Sequence, residues 1–148
     1  MAHTNLTYHL VFSTKYRKDL ITPQLEPELY KYIGGIIKNK GGVQLEIGGI
    51  SNHVHILAVI PPVIAVADML RFIKSNSSKW VNQQPWYKKK FRWQIKYGAF
   101  TVSESQIPSV RRYIQDQKEH HRKLIYTDEY IQLLEKHSII YDVKYLWD

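Results

Sequence analysis

Leu6, Tyr8, Leu10 and Phe12 lie on one side of an alternating run, with Thr7, His9, Val11 and Ser13 on the other. That two-residue period predicts a first strand over 6–13. The period then lengthens. Leu25, Leu29, Ile33 and Ile36 recur at helical spacing behind Thr22-Pro23, with Glu26 and Glu28 near the positive end of the helix dipole and Gly41-Gly42 ending the pattern. Val43, Leu45 and Ile47 alternate again, and a Gly/Ser/Asn turn over 48–52 leads into 53–60, so the two segments read as a β-hairpin closed by Pro61-Pro62. Val66, Leu70, Ile73 and Trp80 mark a second helix that stops before Pro85, and aromatic-rich 93–100 reads as a fourth strand. Capping-box spacing from Ser103 to Gln106 opens a third helix running to about Lys123, with Pro108 in its first turn. A short helix over 128–136 and an extended tail ending in Tyr145-Leu146-Trp147 complete the chain.

The order β-α-β-β-α-β followed by a helix predicts an α+β, ferredoxin-like or RRM-like fold: an antiparallel sheet with helices on one face. The third helix is then the candidate cover for the other face. A chain of 148 residues without repeat, low-complexity tract or linker predicts one domain over 1–148. The absence of cysteine excludes a disulfide framework and a thiolate zinc site, leaves His, Asp, Glu, Gln or Asn to hold any metal, and suits a reducing cytoplasm. The longest apolar run, 56–67, is interrupted by Pro61-Pro62 and is too short to cross a bilayer, so neither secretion nor a membrane partner is expected. Lys and Arg number 21 against 13 Asp and Glu, a formal charge of +8 that attracts polyanions and makes nucleic acid the leading partner class.

Candidate chemistry begins at "NHVHIL". Alternate strand residues share a face about 7 Å apart, so His53 and His55 can converge on one ion while Val54, Ile56 and Ala58 face the core. A His-x-His pair alone is equally compatible with half-buried structural histidines. On the third helix, "SVRRYIQDQKEHH" puts Tyr113 and Gln117 four residues apart, one above the other. A tyrosine nucleophile and a neutral oxygen ligand facing two imidazoles would make a site for phosphoryl transfer to a hydroxyl. The adjacent His120 and His121 point about 100° apart on a helix, which favours a solvated or DNA-facing role over joint chelation. Tyr126 and Tyr130 read as packing residues.

With these residues in view, the chain resembles the HUH single-tyrosine transposases, the small transposases of the simplest bacterial insertion sequences. The segments that carry the resemblance are "YHLVFSTKYRK", "NHVHIL", "LRFIKSNSSKW", "YGAFTVSESQ" and "VRRYIQDQKEHH", in that order over nearly the whole chain. Ile95-Lys96 stands where members often carry a shorter, glycine-containing link. The resemblance implies that His53, His55 and Gln117 bind the metal and that the C-terminal helix is catalytic through Tyr113, which attacks a DNA phosphate. It further implies a covalent 5′-phosphotyrosine link, single-stranded DNA near hairpins as substrate, and a homodimer with shared active sites. The amide and phosphate oxygens shift the metal preference of two imidazoles toward harder ions, Mg²⁺ or Mn²⁺.

Basic residues supply candidate phosphate contacts: Lys88, Lys89, Lys90 and Arg92 among the aromatics of 86–96, Lys15, Arg17 and Lys18 after the first strand, and Arg111 and Arg112 beside Tyr113. Phe91 and Trp93 are equally compatible with a core role. Two other functions share this pattern: a non-enzymatic RRM-like binding module that stacks bases on sheet aromatics, and a metal-dependent phosphoesterase in which water attacks.

Overall fold

The computed structural model describes residues 2–147 and contains one four-stranded antiparallel sheet in the order β2-β3-β1-β4. The strands are β1 (Thr7–Ser13), β2 (Val43–Ile50), β3 (His53–Val59) and β4 (Gly98–Thr101); the helices are α1 (Leu25–Asn39), α2 (Val66–Asn82), α3 (Ile107–Gln115), α4 (Gln117–His120) and α5 (Tyr126–Lys136). The order is the expected β-α-β-β-α-β followed by helices. α1 starts where Thr22 Oγ1 accepts the Leu25 amide at 3.2 Å, and the chain leaves it through Gly41 at φ +86°, a conformation open to glycine.

Strand alternation divides the buried residues into two sets. Leu10, Phe12, Val54, Ile56 and Ala58 pack against Leu25, Leu29, Ile33 and Ile37 of α1 and Met69, Leu70, Ile73 and Val81 of α2. On the opposite face Val11 and Phe100 pack under Tyr126, Tyr130, Leu133 and Leu134 of α5. The second cover is therefore shared: α3 lies along β2 and β3, and α5 supplies the apolar part.

Two segments differ from expectation. Of the expected fourth strand over 93–100 only 98–100 pairs with β1, in a strand that runs on to Thr101, and Trp93 contributes a single bridge to Thr14. The intervening chain loops outward because the Lys74 ammonium collects the carbonyls of Gln94, Ile95 and Lys96 at 2.8, 2.9 and 3.1 Å, leaving Ile95 exposed. Trp93 and Phe91 join the apolar core, where the Trp93 indole donates to Ser77 Oγ at 2.9 Å. The expected single helix to Lys123 is interrupted at Asp116 (φ −93°, ψ 15°), which separates α3 from α4.

Candidate functional site

His53 and His55 share the face opposite the α1–α2 core, and both are fully buried. Their neighbour across β2 is the reason a helix can reach them. Gly48 pairs with His55, and a Cβ on Gly48 would stand 2.4 Å from the Ile114 carbonyl oxygen. Only a residue without a side chain lets α3 come this close, and that approach sets Tyr113 and Gln117 over the histidines.

The expected pieces meet there with His121 and Glu129, which the sequence pattern did not place in the site. Gln117 Oε1 lies 3.0 Å from His53 Nε2 and 2.9 Å from His121 Nε2. Glu129, from the first turns of α5, puts Oε1 3.1 Å from His55 Nε2, 2.9 Å from His121 Nε2 and 3.4 Å from His53 Nε2. Its Oε2 accepts the Tyr113 hydroxyl in a short hydrogen bond and the Gln117 amide at 3.0 Å. Outer partners fix the rings: His53 Nδ1 meets Asn52 Oδ1 at 2.8 Å, His55 Nδ1 meets His9 Nε2 at 2.8 Å, and His121 Nδ1 donates to the Leu124 carbonyl at 2.6 Å. Such contacts orient imidazoles whose other nitrogen serves a metal.

Burial sets much of the electrostatics. It lowers His53 from its ordinary value to about 4, so this ring is neutral near pH 7. His9 is lowered in the same direction by burial and then by His55. For Glu129 burial works against the charge, but hydrogen bonds from His121, His53 and His55 outweigh it and hold the carboxyl well below the usual range. Tyr113 moves the other way, its phenol raised by burial first and by the Glu129 charge second. The donor atoms of His53, His55, His121 and Glu129 lie within 4.8 Å of one another, an arrangement that can hold a metal ion. Imidazoles around a carboxylate and an amide oxygen are a donor set that a divalent cation can use.

His121 corrects the expectation of a solvated residue: its side chain is 3% exposed and belongs to the cluster, whereas His120 is 34% exposed with Nε2 3.6 Å from Glu129 Oε2. A signal for it existed, since Tyr113, Gln117 and His121 recur every fourth residue. Glu129 had one too: it sits on the Tyr126/Tyr130/Leu133 stripe, and a carboxylate on a buried stripe needs partners.

The basic residues group as well. Lys15 N donates to the Arg92 carbonyl at 2.8 Å and Lys89 Nζ to the Asp19 carbonyl at 2.9 Å, so the expected 15–18 and 88–92 clusters form one surface. Lys18, Lys88, Lys89, Lys90 and Arg92 are exposed on it, while Arg17 stacks at 5.0 Å over Trp147, which itself packs on Tyr126. Arg112 is exposed on α3 and Arg111 half-buried. Beside Tyr113 a cavity of about 550 Å³ opens between His9, Ser103, Ser109, Lys136 and His137.

The family described as "Transposase IS200 like" matches residues 2–117, which include the histidine pair, Tyr113 and Gln117. The chain belongs to this family. It is 26% identical over 117 residues to the ISDra2 transposase TnpA of Deinococcus radiodurans, covering 76% of this chain and 84% of that one. The IS200 transposase of Salmonella typhimurium is 29% identical over 86 residues, 57% of either chain. Among solved structures, a REP-associated tyrosine transposase bound to a REP hairpin shares the fold at a TM-score of 0.63 and 13% identity, covering 82% of this chain and 72% of that one. His121 and Glu129 lie beyond the span of this IS200-like transposase match. No helix among the described residues is long and apolar enough to cross a membrane.

Proposed function

We propose that this chain is a metal-dependent transposase that cleaves and rejoins single-stranded DNA near hairpins through a 5′-phosphotyrosine on Tyr113, within one domain. The observation that carries the reading is the meeting of the Tyr113 hydroxyl with His53, His55 and Gln117 around a single buried carboxylate. Membership of the IS200-like family and the hairpin bound to its structural neighbour support the substrate class.

In the proposed step, Tyr113 Oη attacks the scissile phosphorus, the bond to the 3′-oxygen breaks, and that oxygen takes up a proton to leave as a hydroxyl. Glu129 Oε2 already accepts the Tyr113 proton and receives it as the oxygen–phosphorus bond forms. The raised phenol makes such a partner necessary, because free tyrosinate is scarce at neutral pH. His53, His55 and Gln117 would hold Mg²⁺ or Mn²⁺, whose role when bound is to neutralise and orient the phosphate for in-line attack. The covalent link conserves the phosphodiester bond energy for rejoining, which attack by water would dissipate.

Lys15, Arg17, Lys18, Lys88, Lys89, Lys90 and Arg92 form the proposed surface for the DNA backbone, with Arg111 and Arg112 beside the nucleophile. An RRM-like binding mode is disfavoured because α3 and α5 cover the sheet face whose aromatics would stack on bases. The homodimer is part of the proposal. Since Tyr113 here lies beside the histidines of its own chain, shared sites would require exchange of α3 between subunits.

The test incubates the protein with labelled hairpin-bearing single-stranded DNAs and Mn²⁺. A denaturation-resistant protein–DNA band is expected, absent with chelator and in Tyr113→Phe. Cleavage that survives Tyr113→Phe would establish hydrolysis instead. Light scattering checks the dimer, with twice the single-chain mass expected.

A further inference from the structure

The geometry points to the cavity beside Tyr113 as the seat of one nucleobase, that of the nucleotide immediately 3′ of the cut, which remains on the phosphotyrosine. The inference rests on the proposed function in taking Tyr113 as the nucleophile and single-stranded DNA as the substrate. Its basis is stereochemical. In an in-line displacement the 3′-oxygen departs on the side of the phosphorus opposite Tyr113 Oη, and the nucleotide 5′ of the cut goes with it. The nucleotide on the 3′ side stays bonded through its 5′-oxygen and lies to one side of the tyrosine. A cavity that Tyr113 itself lines is therefore placed for the retained nucleotide.

The walls suit a base. At about 550 Å³ the cavity falls within the range of small-molecule sites. Gln106, Ser109, Val110 and Tyr113 recur three and four residues apart, so one helix face runs from the nucleophile to the Gln106 amide, about 10 Å along the axis. Val110, with Leu133 from α5, gives apolar contact, while the Ser109 hydroxyl and the Gln106 amide each offer a donor and an acceptor. At the end of α5, His137 lies flat on Phe100, with ring centroids 4.3 Å apart and 14° between planes, and the residue stays exposed. A base laid on that imidazole continues the stack. Unpaired bases are recognised by stacking of this kind together with hydrogen bonds to their edges. The Gln106 amide, a donor beside an acceptor, is the group that tells one base edge from another.

The test uses the hairpin-bearing strand that gives the protein–DNA band, with its cut mapped. The base is deleted in turn from the nucleotide 5′ and the nucleotide 3′ of the cut, leaving otherwise identical abasic strands. Deletion on the 3′ side should slow adduct formation at subsaturating DNA by about tenfold, the loss of one base stack. Deletion on the 5′ side should leave the rate nearly unchanged. In Val110→Trp, which fills the cavity, intact and 3′-abasic strands should react at equal rates. Gln106 is exposed, so Gln106→Ala keeps a readout even if Val110→Trp fails to fold: strands carrying each of the four bases 3′ of the cut should react at different rates in the wild type and at one rate in this variant. A 3′ deletion without effect, or a loss confined to the 5′ side, overturns the inference and leaves the adduct, and with it the proposed function, standing. So does a 3′-abasic penalty that persists in Val110→Trp. No adduct on any strand removes the proposed function and this inference with it.

Discussion

His55 and Ile56 are chain neighbours, both fully buried, and point to opposite faces of one sheet. Ile56 lies among leucines and isoleucines of α1 and α2, where each buried side chain stabilises through area removed from water, at about 25 cal/mol per Å². His55 lies among His9, Glu129 and Tyr113, where burial costs free energy that only mutual hydrogen bonds or a cation offset. One face therefore holds the fold together, and the other spends part of that stability on placing polar groups out of water. The division is as sharp as the alternation of a strand.

The largest effects should come from separating those two neighbours. Ile56→Ala leaves a cavity in the apolar layer and is expected to cost about 2–5 kcal/mol of stability, read by denaturant titration. At low temperature its folded fraction should still form the metal-dependent DNA adduct. His55→Ala should do the reverse, losing the adduct while keeping the cooperative transition. Should both variants lose stability alike and keep the adduct alike, the division of labour between the faces is wrong.

Acid provides the next contrast. His53 titrates near 4 in the folded protein because it is buried, against about 6.5 in an unfolded chain. The unfolded state therefore binds the proton first as pH falls. The stability that neutral His53 contributes is complete above about pH 6.5 and is lost progressively down to about pH 4, of order 3 kcal/mol, with no further change from this group below that. Denaturant titrations of chelated protein across that range check the slope, and His53→Asn should flatten it. An equally steep slope in His53→Asn would assign the loss to other groups.

The apolar face was readable from the chain because its residues follow one local rule each. Leu10 and Phe12 obey the period of a strand, and Leu25, Leu29 and Ile33 that of a helix. The histidine pair was readable for the same reason, since parity alone puts both rings on one side. Its partners were only partly so. Gln117 follows from helical spacing behind Tyr113, but the break at Asp116 and the turn before α5 decide that His121 and Glu129 arrive at the same point. Those are tertiary events: Glu129 is separated from His55 by 74 residues and no local period connects them. The shortened β4 was hidden similarly, because Lys74 on α2 draws the 94–96 carbonyls out of the sheet.

The smallest effect concerns how firmly the polar face is oriented. Asn52 ends the hairpin turn, and its side chain meets His53 Nδ1 at 2.8 Å without touching the cluster's inner atoms. Asn52→Ala removes that partner and leaves Nε2 in place, so the ring keeps its ligand atom but gains rotational freedom. Metal affinity should fall by about tenfold, the loss typical of an outer partner, while stability against denaturant changes little. A loss as great as that of His53→Ala would mean that the ring is held by Asn52 alone. No loss would mean that the walls around it, Tyr126 at 4.4 Å and His121 at 4.5 Å between ring centroids, suffice to orient it.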